Sequence, residues 1–448
     1  MARGDALSIG AAEIDITPPL GYRLAGYFSE RLATGVHDPL KARAIVLRQG
    51  EVQIALVCCD LIGVSLSIST NARAHASKRT GIPVPNIVIC GTHTHTGPLF
   101  EGPLRDYFHQ VATEKHGSDP QEQVDYPSLL IERLVSVIAA AQANLRPAEL
   151  QAGVAKQEGL AFNRRFWMKN GRVVFNPGRL NPDIVRSAGP TDPDVGIVLA
   201  RDRQTHQPFA GLTVFAMHLD TVGGTLIGAD YAYYLERALR HEFGQDFVSA
   251  FGLGTCGDIN HIDVSQKEQT SGPALAERLG KTLGETVLAA APRLPVSNPP
   301  ALAARSTTLE VPLCEVTPEQ VAEARAVMGK FHEPQTSFLT KVAAVRVLDL
   351  AGLTSPRPME VQVFRLDAET AIVCLPCEVF VELGLAIKRA SPFRNTLVIE
   401  ICNDRPSYVP TAKAFAEGSY EVTNARVKPG AGEMLVDAAV RLLNEVKE

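Results

Sequence analysis

Asn86-Ile-Val-Ile-Cys-Gly-Thr-His-Thr-His-Thr-Gly-Pro98 is an apolar run that stops in a polar turn carrying two histidines. A short run that is apolar on both faces suits a strand covered on both sides. In extended backbone, residues two apart share a face, so His93 and His95 are expected to face one cavity at the strand's C-terminal end. That end is where α/β sheets place their chemistry.

The pattern recurs outward along the chain. VQIALVCC (52–59) ends in Asp60, and LTVFAM (212–217) ends in His218 and Asp220. FVSAF (247–251) leads to Asp258, Asn260, His261 and Asp263, and AIVCL (371–375) leads to Glu378. A single strand ending in an acid is an ordinary turn; five ending in His, Asp or Glu read as a shared edge. Imidazole and carboxylate together suit Zn²⁺ or another borderline divalent ion. The residues alone leave two arrangements open: one ion with an acid/base neighbour, or a dinuclear site with His93 and His95 as ligands and Asp60, Asp220 or Asp258 bridging.

VGIVLA (195–200) and TLVIEI (396–401) complete the apolar runs. Between them lie helical stripes: Leu130, Leu134, Val137 and Ala141, and near the C-terminus Leu435, Ala439 and Leu442. The expected fold is α/β, a large mixed sheet flanked by helices, with a cleft for Zn²⁺ or another such ion at the strand C-terminal ends. One catalytic body over 1–448 is expected, with a lobe junction at the proline-rich 291–302. Beyond it, a strand and then a helix over VTPEQVAEARAVMGKF are expected. No internal repeat is visible. Residues 99–127 show no clear period and read as a lid or a surface insertion, with Arg105, Tyr107 and His109 as polar contacts.

Composition narrows the function. The 448 residues carry 44 Lys+Arg against 49 Asp+Glu, a net charge of −5 with no concentrated basic face, which argues against a general nucleic-acid binder. No run is long and apolar enough for a membrane helix, and MARGDALSIGAAEIDITPP lacks a signal-peptide core, so a cytoplasmic protein without stable membrane association is expected. Eight cysteines, mostly inside apolar runs, read as buried thiols. Cys374 and Cys377 form one C-x-x-C without a second pair, which is weak evidence for a zinc knuckle.

Ile14-Asp-Ile-Thr-Pro18, Gly26-Tyr27, Gly35-Val-His37, Gly91-Thr-His-Thr-His-Thr-Gly-Pro98, Phe162-Asn-Arg-Arg165, Phe215-Ala-Met-His218, Gly257-Asp258, Leu375-Pro-Cys-Glu378 and Tyr408-Val-Pro-Thr…Gly418-Ser-Tyr-Glu421 are collinear along the chain. In these motifs the sequence resembles the N-terminal catalytic domain of neutral/alkaline ceramidases and the shorter bacterial proteins that carry this domain alone. The resemblance implies one Zn²⁺ held by His93, His218, Glu378 and Tyr408. It implies His95 as the catalytic neighbour, with Arg164 and Tyr420 lining the site. Where the family has G-D-V-S-P-N this chain has Gly257-Asp-Ile-Asn-His-Ile262, so Asn260 stands at the position of a substrate-touching serine. A serine nucleophile is thereby excluded there, and His261 and Asp263, polar where the family has proline or apolar residues, lead to the expectation of a smaller, more polar substrate. The chain ends soon after Tyr420, so the family's C-terminal immunoglobulin-like domain is not expected.

The expected function is zinc-dependent hydrolysis of an amide, or of an ester, in a small polar N-acyl substrate. The alternatives are a metal-dependent lyase or carbohydrate-active enzyme on the same scaffold, and a binding protein without turnover. Gly223-Gly224, His37 and Trp167 each admit a site role or a plain structural one.

Overall fold

The computed structural model describes residues 6–297 and 299–448; Asn298, inside the expected junction, lies outside them. The strands are β1 (Ser8–Asp15), β2 (Lys41–Gln49), β3 (Val52–Cys59), β4 (Ile87–Gly91), β5 (Arg146–Lys156), β6 (Asp194–Asp202), β7 (Pro208–Phe215), β8 (Val248–Leu253), β9 (Ala303–Val311), β10 (Arg357–Arg365), β11 (Thr370–Cys374) and β12 (Asn395–Ile399). The helices are α1 (Leu66–Thr80), α2 (Pro103–His116), α3 (Tyr126–Ala143), α4 (Tyr231–Phe243), α5 (Pro273–Ala290), α6 (Pro318–Met328), α7 (Phe338–Gly352), α8 (Val381–Ala390), α9 (Ala412–Glu417), α10 (Tyr420–Asn424) and α11 (Ala431–Lys447).

An eight-stranded mixed sheet has the order β8-β7-β6-β5-β1-β2-β3-β4, and a four-stranded sheet has β9-β10-β11-β12. In the large sheet β1 and β5 share only the pairs Ser8↔Pro147 and Ile9↔Arg146, so it divides into two halves joined at a corner. The result is three units of one design. Each has two antiparallel steps, then a crossover helix to a parallel fourth strand, then an outer helix. The parallel pairs are β3 and β4 across α1, β7 and β8 across α4, and β11 and β12 across α8. The outer helices are α3, α5 and α11. Contrary to the expectation from sequence, the fold is an internal threefold repeat. It is kept as an alternation of buried side chains rather than as recurring residues.

That alternation builds the layers. On β3, Ile54, Leu56 and Cys58 face a common interior, whereas Ala55, Val57 and Cys59 face α1 and α3. On β8, Val248 and Ala250 face the same interior and Phe251 and Leu253 face α4 and α5. On β11, Ile372 and Cys374 face it and Ala371 and Val373 pack toward α8 and α11. Each strand is thus covered on both sides, as the unbroken apolar runs required, but one cover is another sheet. Each fully buried Val, Leu or Ile contributes about 1.5–3 kcal/mol, so the shared interior stabilises all three units together.

Inserts distinguish the units. Residues 99–127 are not irregular but contain α2; Gly102-Pro103 starts it and Gly117, at φ 79°, ends it. Only Phe108 and Ala112 of α2 are buried, too few to write a period. The expected helix after 311 is α6, with a capping box between Thr317 and Gln320. Together α2, α6 and α7 pack through Phe108, Ala324, Met328, Phe331 and Val345 into a separate apolar cluster beside the strand ends.

One buried ion cluster ties the first unit to the second. Arg43 on β2 donates to Asp60 at 2.8 Å and also bonds Glu236 of α4. Asp60 is 0% exposed, and burial pushes its carboxyl up against the pull of Arg43. Arg43→Ala leaves that carboxylate buried without its cation, so we expect a loss of about 3–5 kcal/mol in denaturant unfolding. A loss under about 1 kcal/mol would show that this cluster does not join the units.

Candidate active site at the strand ends

All three parallel strand pairs deliver their C-terminal ends to one place. After β4 the chain turns through His93, whose φ of 75° is left-handed, so the two histidines converge through a turn and not through the strand pleat expected from sequence. Their ring centres lie 4.9 Å apart, and that of His218, just after β7, lies 4.7 Å from His93. After β11, Cys377 at φ 71° precedes Glu378, and Glu378–Val379 pairs in parallel with Tyr408–Val409. Positive φ at His93 and Cys377 is costly backbone held in place by the packed ends around it.

Backbone carbonyls orient the imidazoles. His93 Nδ1 lies 2.8 Å from Ile62 O, and His218 Nδ1 lies 2.9 Å from Cys256 O. With Nδ1 donating, each Nε2 is left as an acceptor with a fixed direction. Both turn toward the same carboxylate oxygen: Glu378 Oε2 is 3.5 Å from His93 Nε2 and 3.4 Å from His218 Nε2. Among the described residues, His218 Nε2 and Glu378 Oε2 are buried without a hydrogen-bond partner, as are both ring nitrogens of His95. Orphaned polar atoms are rare in a folded interior, and here they converge. His93, His95 and His218 make a candidate metal-binding group, their ligand atoms within 4.8 Å of one another. The donors fit a borderline divalent cation.

The electrostatics agree. Burial raises the Glu378 carboxyl, but His93 and His218 override it and hold it well below the usual range. Burial lowers His218 to about 4 and takes His95 well below its ordinary value, so both rings are neutral at pH 7. Burial pushes Tyr408 well above its ordinary value and Tyr420 up to about 12, against the pull of Arg164.

His93, His95, Glu378, Tyr408 and Tyr420 line a cleft of about 310 Å³. Its other walls are Phe28 and Leu99, then Leu104 of α2 and Val345 of α7. Arg164 is not among the lining residues. Its Nε donates to Glu421 at 2.9 Å and its Nη2 to Gly257 O at 2.7 Å, with its guanidinium 5.5 Å and 5.9 Å from the rings of Tyr408 and Tyr420. It stands behind the tyrosines with those donors already engaged.

Asn260 is likewise outside the lining: its amide bonds Asn176 and the Ile262 N–H. Of the carboxylates considered as bridges, Asp60 is held by Arg43 and Asp258 by Asn163 and the Val381 N–H. Asp220 accepts from His261 at 3.0 Å. Arg105 and His109 pair with Glu122 and Asp119, and Tyr107 packs on Phe331, so none of the three faces the cleft. His37 bonds Asp38, and Trp167 sits in a small three-stranded sheet under Arg186.

Sequence reading missed the carbonyls of Ile62 and Cys256, which no side-chain pattern announces. It also missed the role of Gly26-Tyr27. Gly26, at φ 102°, lies against His95, and a Cβ there would sit 2.6 Å from His95 Cβ.

Comparison with known proteins places this architecture. A family model described as "Neutral/alkaline non-lysosomal ceramidase, N-terminal" matches residues 7–270, and the chain belongs to that family. Neutral ceramidase A of Dictyostelium discoideum is 24% identical over 276 residues, covering 56% of this chain and 35% of that protein. The matched chain thus spans about a third of its relative's length. Two solved structures share the fold over 98% of this chain. The neutral ceramidase from Pseudomonas aeruginosa has a TM-score of 0.72 at 20% identity over 75% of its own chain. A ceramidase complexed with C2 has a TM-score of 0.74 at 18% identity over 76% of its own.

Gly26→Ala tests the seating of His95. We expect a folded protein less stable by about 1–3 kcal/mol, with His95 displaced and turnover depressed. Unchanged stability and turnover would mean that the contact with Gly26 does not set the His95 ring.

Proposed function

We propose that this chain is a zinc-dependent hydrolase that cleaves the amide bond of an N-acyl compound. His93, His218, Glu378 and Tyr408 hold one ion and His95 stands beside it. The observation that carries the reading is the aim of both Nε2 atoms at one Glu378 oxygen, with each Nδ1 committed to a carbonyl. When bound, the ion supplies a water acidified to near-neutral pKa and a polarised carbonyl.

The chain's residues supply the rest. In the overall reaction the water oxygen ends on the acyl carbon, the C–N bond breaks, and the amine nitrogen gains a proton. Neutral His95, with neither ring nitrogen engaged, accepts a proton and passes it to that nitrogen. Tyr420, its hydroxyl kept protonated, donates to the carbonyl oxygen as charge develops, a contribution of about 3 kcal/mol. Arg164, held by Glu421, keeps positive charge behind both tyrosines.

The cleft adds support for a small polar substrate. A volume of about 310 Å³ is at the low end for small-molecule sites, and Glu101, Arg357, Asp404 and Arg405 charge one of its walls. Among the described residues no helix is long and apolar enough to cross a membrane. We expect long-chain ceramide to be cleaved with a lower kcat/KM than short N-acyl amides of the same bond type; the reverse order in detergent would overturn the substrate reading.

The close His93-His95-His218 group favours a second arrangement, in which His95 is itself a ligand. Elemental analysis of variants separates the two. We expect one zinc per chain in the native protein and in His95→Ala, with turnover down by roughly 10²–10⁴ in that variant. His93→Ala is expected to lose both zinc and turnover. Equal zinc loss in both variants would make His95 a ligand.

A further inference from the structure

The charged wall of the cleft holds three arginines, and two of them are spoken for. Arg357 grips Asp404 through two hydrogen bonds of 2.8 and 2.9 Å. Arg426 donates to Asp349 at 2.9 Å and to Ser407 at 2.8 Å. Arg405 differs. Among the described residues its guanidinium makes no hydrogen bond, its Nε is buried without a partner, and the nearest carboxylate, Glu101, lies 3.8 Å from Nη2. The side chain is 27% exposed, and it lines the same cleft as His93, His95 and Glu378.

The backbone is built to hold this side chain there. Asp404 Oδ1 accepts the Arg405 N–H at 2.9 Å and also the Leu66 N–H that opens α1. Beneath the side chain, Gly63 has φ 153°, and a Cβ on it would fall 2.1 Å from Arg405 Cδ. Ile62, next to Gly63, supplies the carbonyl that orients His93. Arg405 thus rests on the turn that positions a proposed zinc ligand. A planar guanidinium seated this way, with its fork unspent, fits a bidentate anion, and a carboxylate matches it best.

Resting on the amide-hydrolase reading above, we infer that Arg405 is a specificity-determining residue that recognises a carboxylate on the substrate. The preferred compounds are then acidic N-acyl amides, of the N-acyl amino acid class, rather than neutral ones. Among the described residues, Glu101, 3.8 Å from Nη2, is the one carboxylate a substrate anion has to compete with at this guanidinium.

The test uses matched pairs, N-butanoylglycine against N-butanoylglycinamide and the same pair with an octanoyl chain. It measures kcat/KM, binding by calorimetry and zinc content. For the zinc-loaded native protein we expect the acids to be favoured at least tenfold in both kcat/KM and affinity. Arg405→Gln is expected to bring each pair to within threefold of one another by lowering the value for the acid, at unchanged zinc content, and Arg405→Lys to keep part of the preference. Equal handling of acid and carboxamide by the native protein, or a parallel fall for both in Arg405→Gln, would overturn the inference. If no amide is cleaved, the hydrolase reading fails, and the calorimetric ratio still decides the role of Arg405.

Discussion

The closure of three units around one interior is the constraint on which the rest depends, and the chain enforces it at Glu400–Asn403. Glu400 N–H donates to Leu253 O at the end of β8, and Asn403 N–H donates to Ile89 O on β4. The Asn403 side chain accepts the Ile89 N–H in return. One segment therefore satisfies exposed backbone at both edges of the large sheet, where unpaired groups would otherwise be costly. Its left-handed residues, Ile401 at φ 56° and Asn403 at φ 60°, are what passing from one edge to the other requires.

That closure reaches the site through short links. The buried Glu400 carboxyl group accepts the Val379 N–H, one residue from Glu378, and contacts Cys256 Sγ at 3.2 Å. Cys256 O in turn fixes the His218 ring. The proposed ligands come from three different units, so their mutual distances are set by how the units dock and not by any one loop. This is the rigid support that a metal site needs if its ligands are to be held before the ion arrives.

Much of this was legible in the sequence. All seven apolar runs are strands, because burial on both sides leaves an unbroken apolar signature. The convergence of His93, His218 and Glu378 was visible as polar residues ending such runs. What escaped had weaker signatures. β1 is mostly half-buried, and its Ala-Ala-Glu centre shows neither alternation nor a continuous run. The threefold repeat escaped because only a burial pattern recurs, across inserts as different as α2, the small sheet over 165–187 and the α6–α7 pair. Asn260 was given a substrate role by its place in a motif, and the structure sets it outside the cleft lining, with its amide bonded to Asn176 and the Ile262 N–H. Arg405 drew no notice, since an arginine beside an aspartate reads as an ordinary ion pair; only the structure shows that Asp404 is taken by Arg357.

The central claim is that the three sets of strand ends build a single metal centre. Anomalous diffraction at the zinc edge from crystals of the zinc-loaded protein tests it most directly. The account predicts one peak per chain, within bonding distance of His93 Nε2, His218 Nε2 and Glu378, and with His95 outside that distance. Two peaks, or a single peak bonded to His95 in place of Glu378, would contradict it.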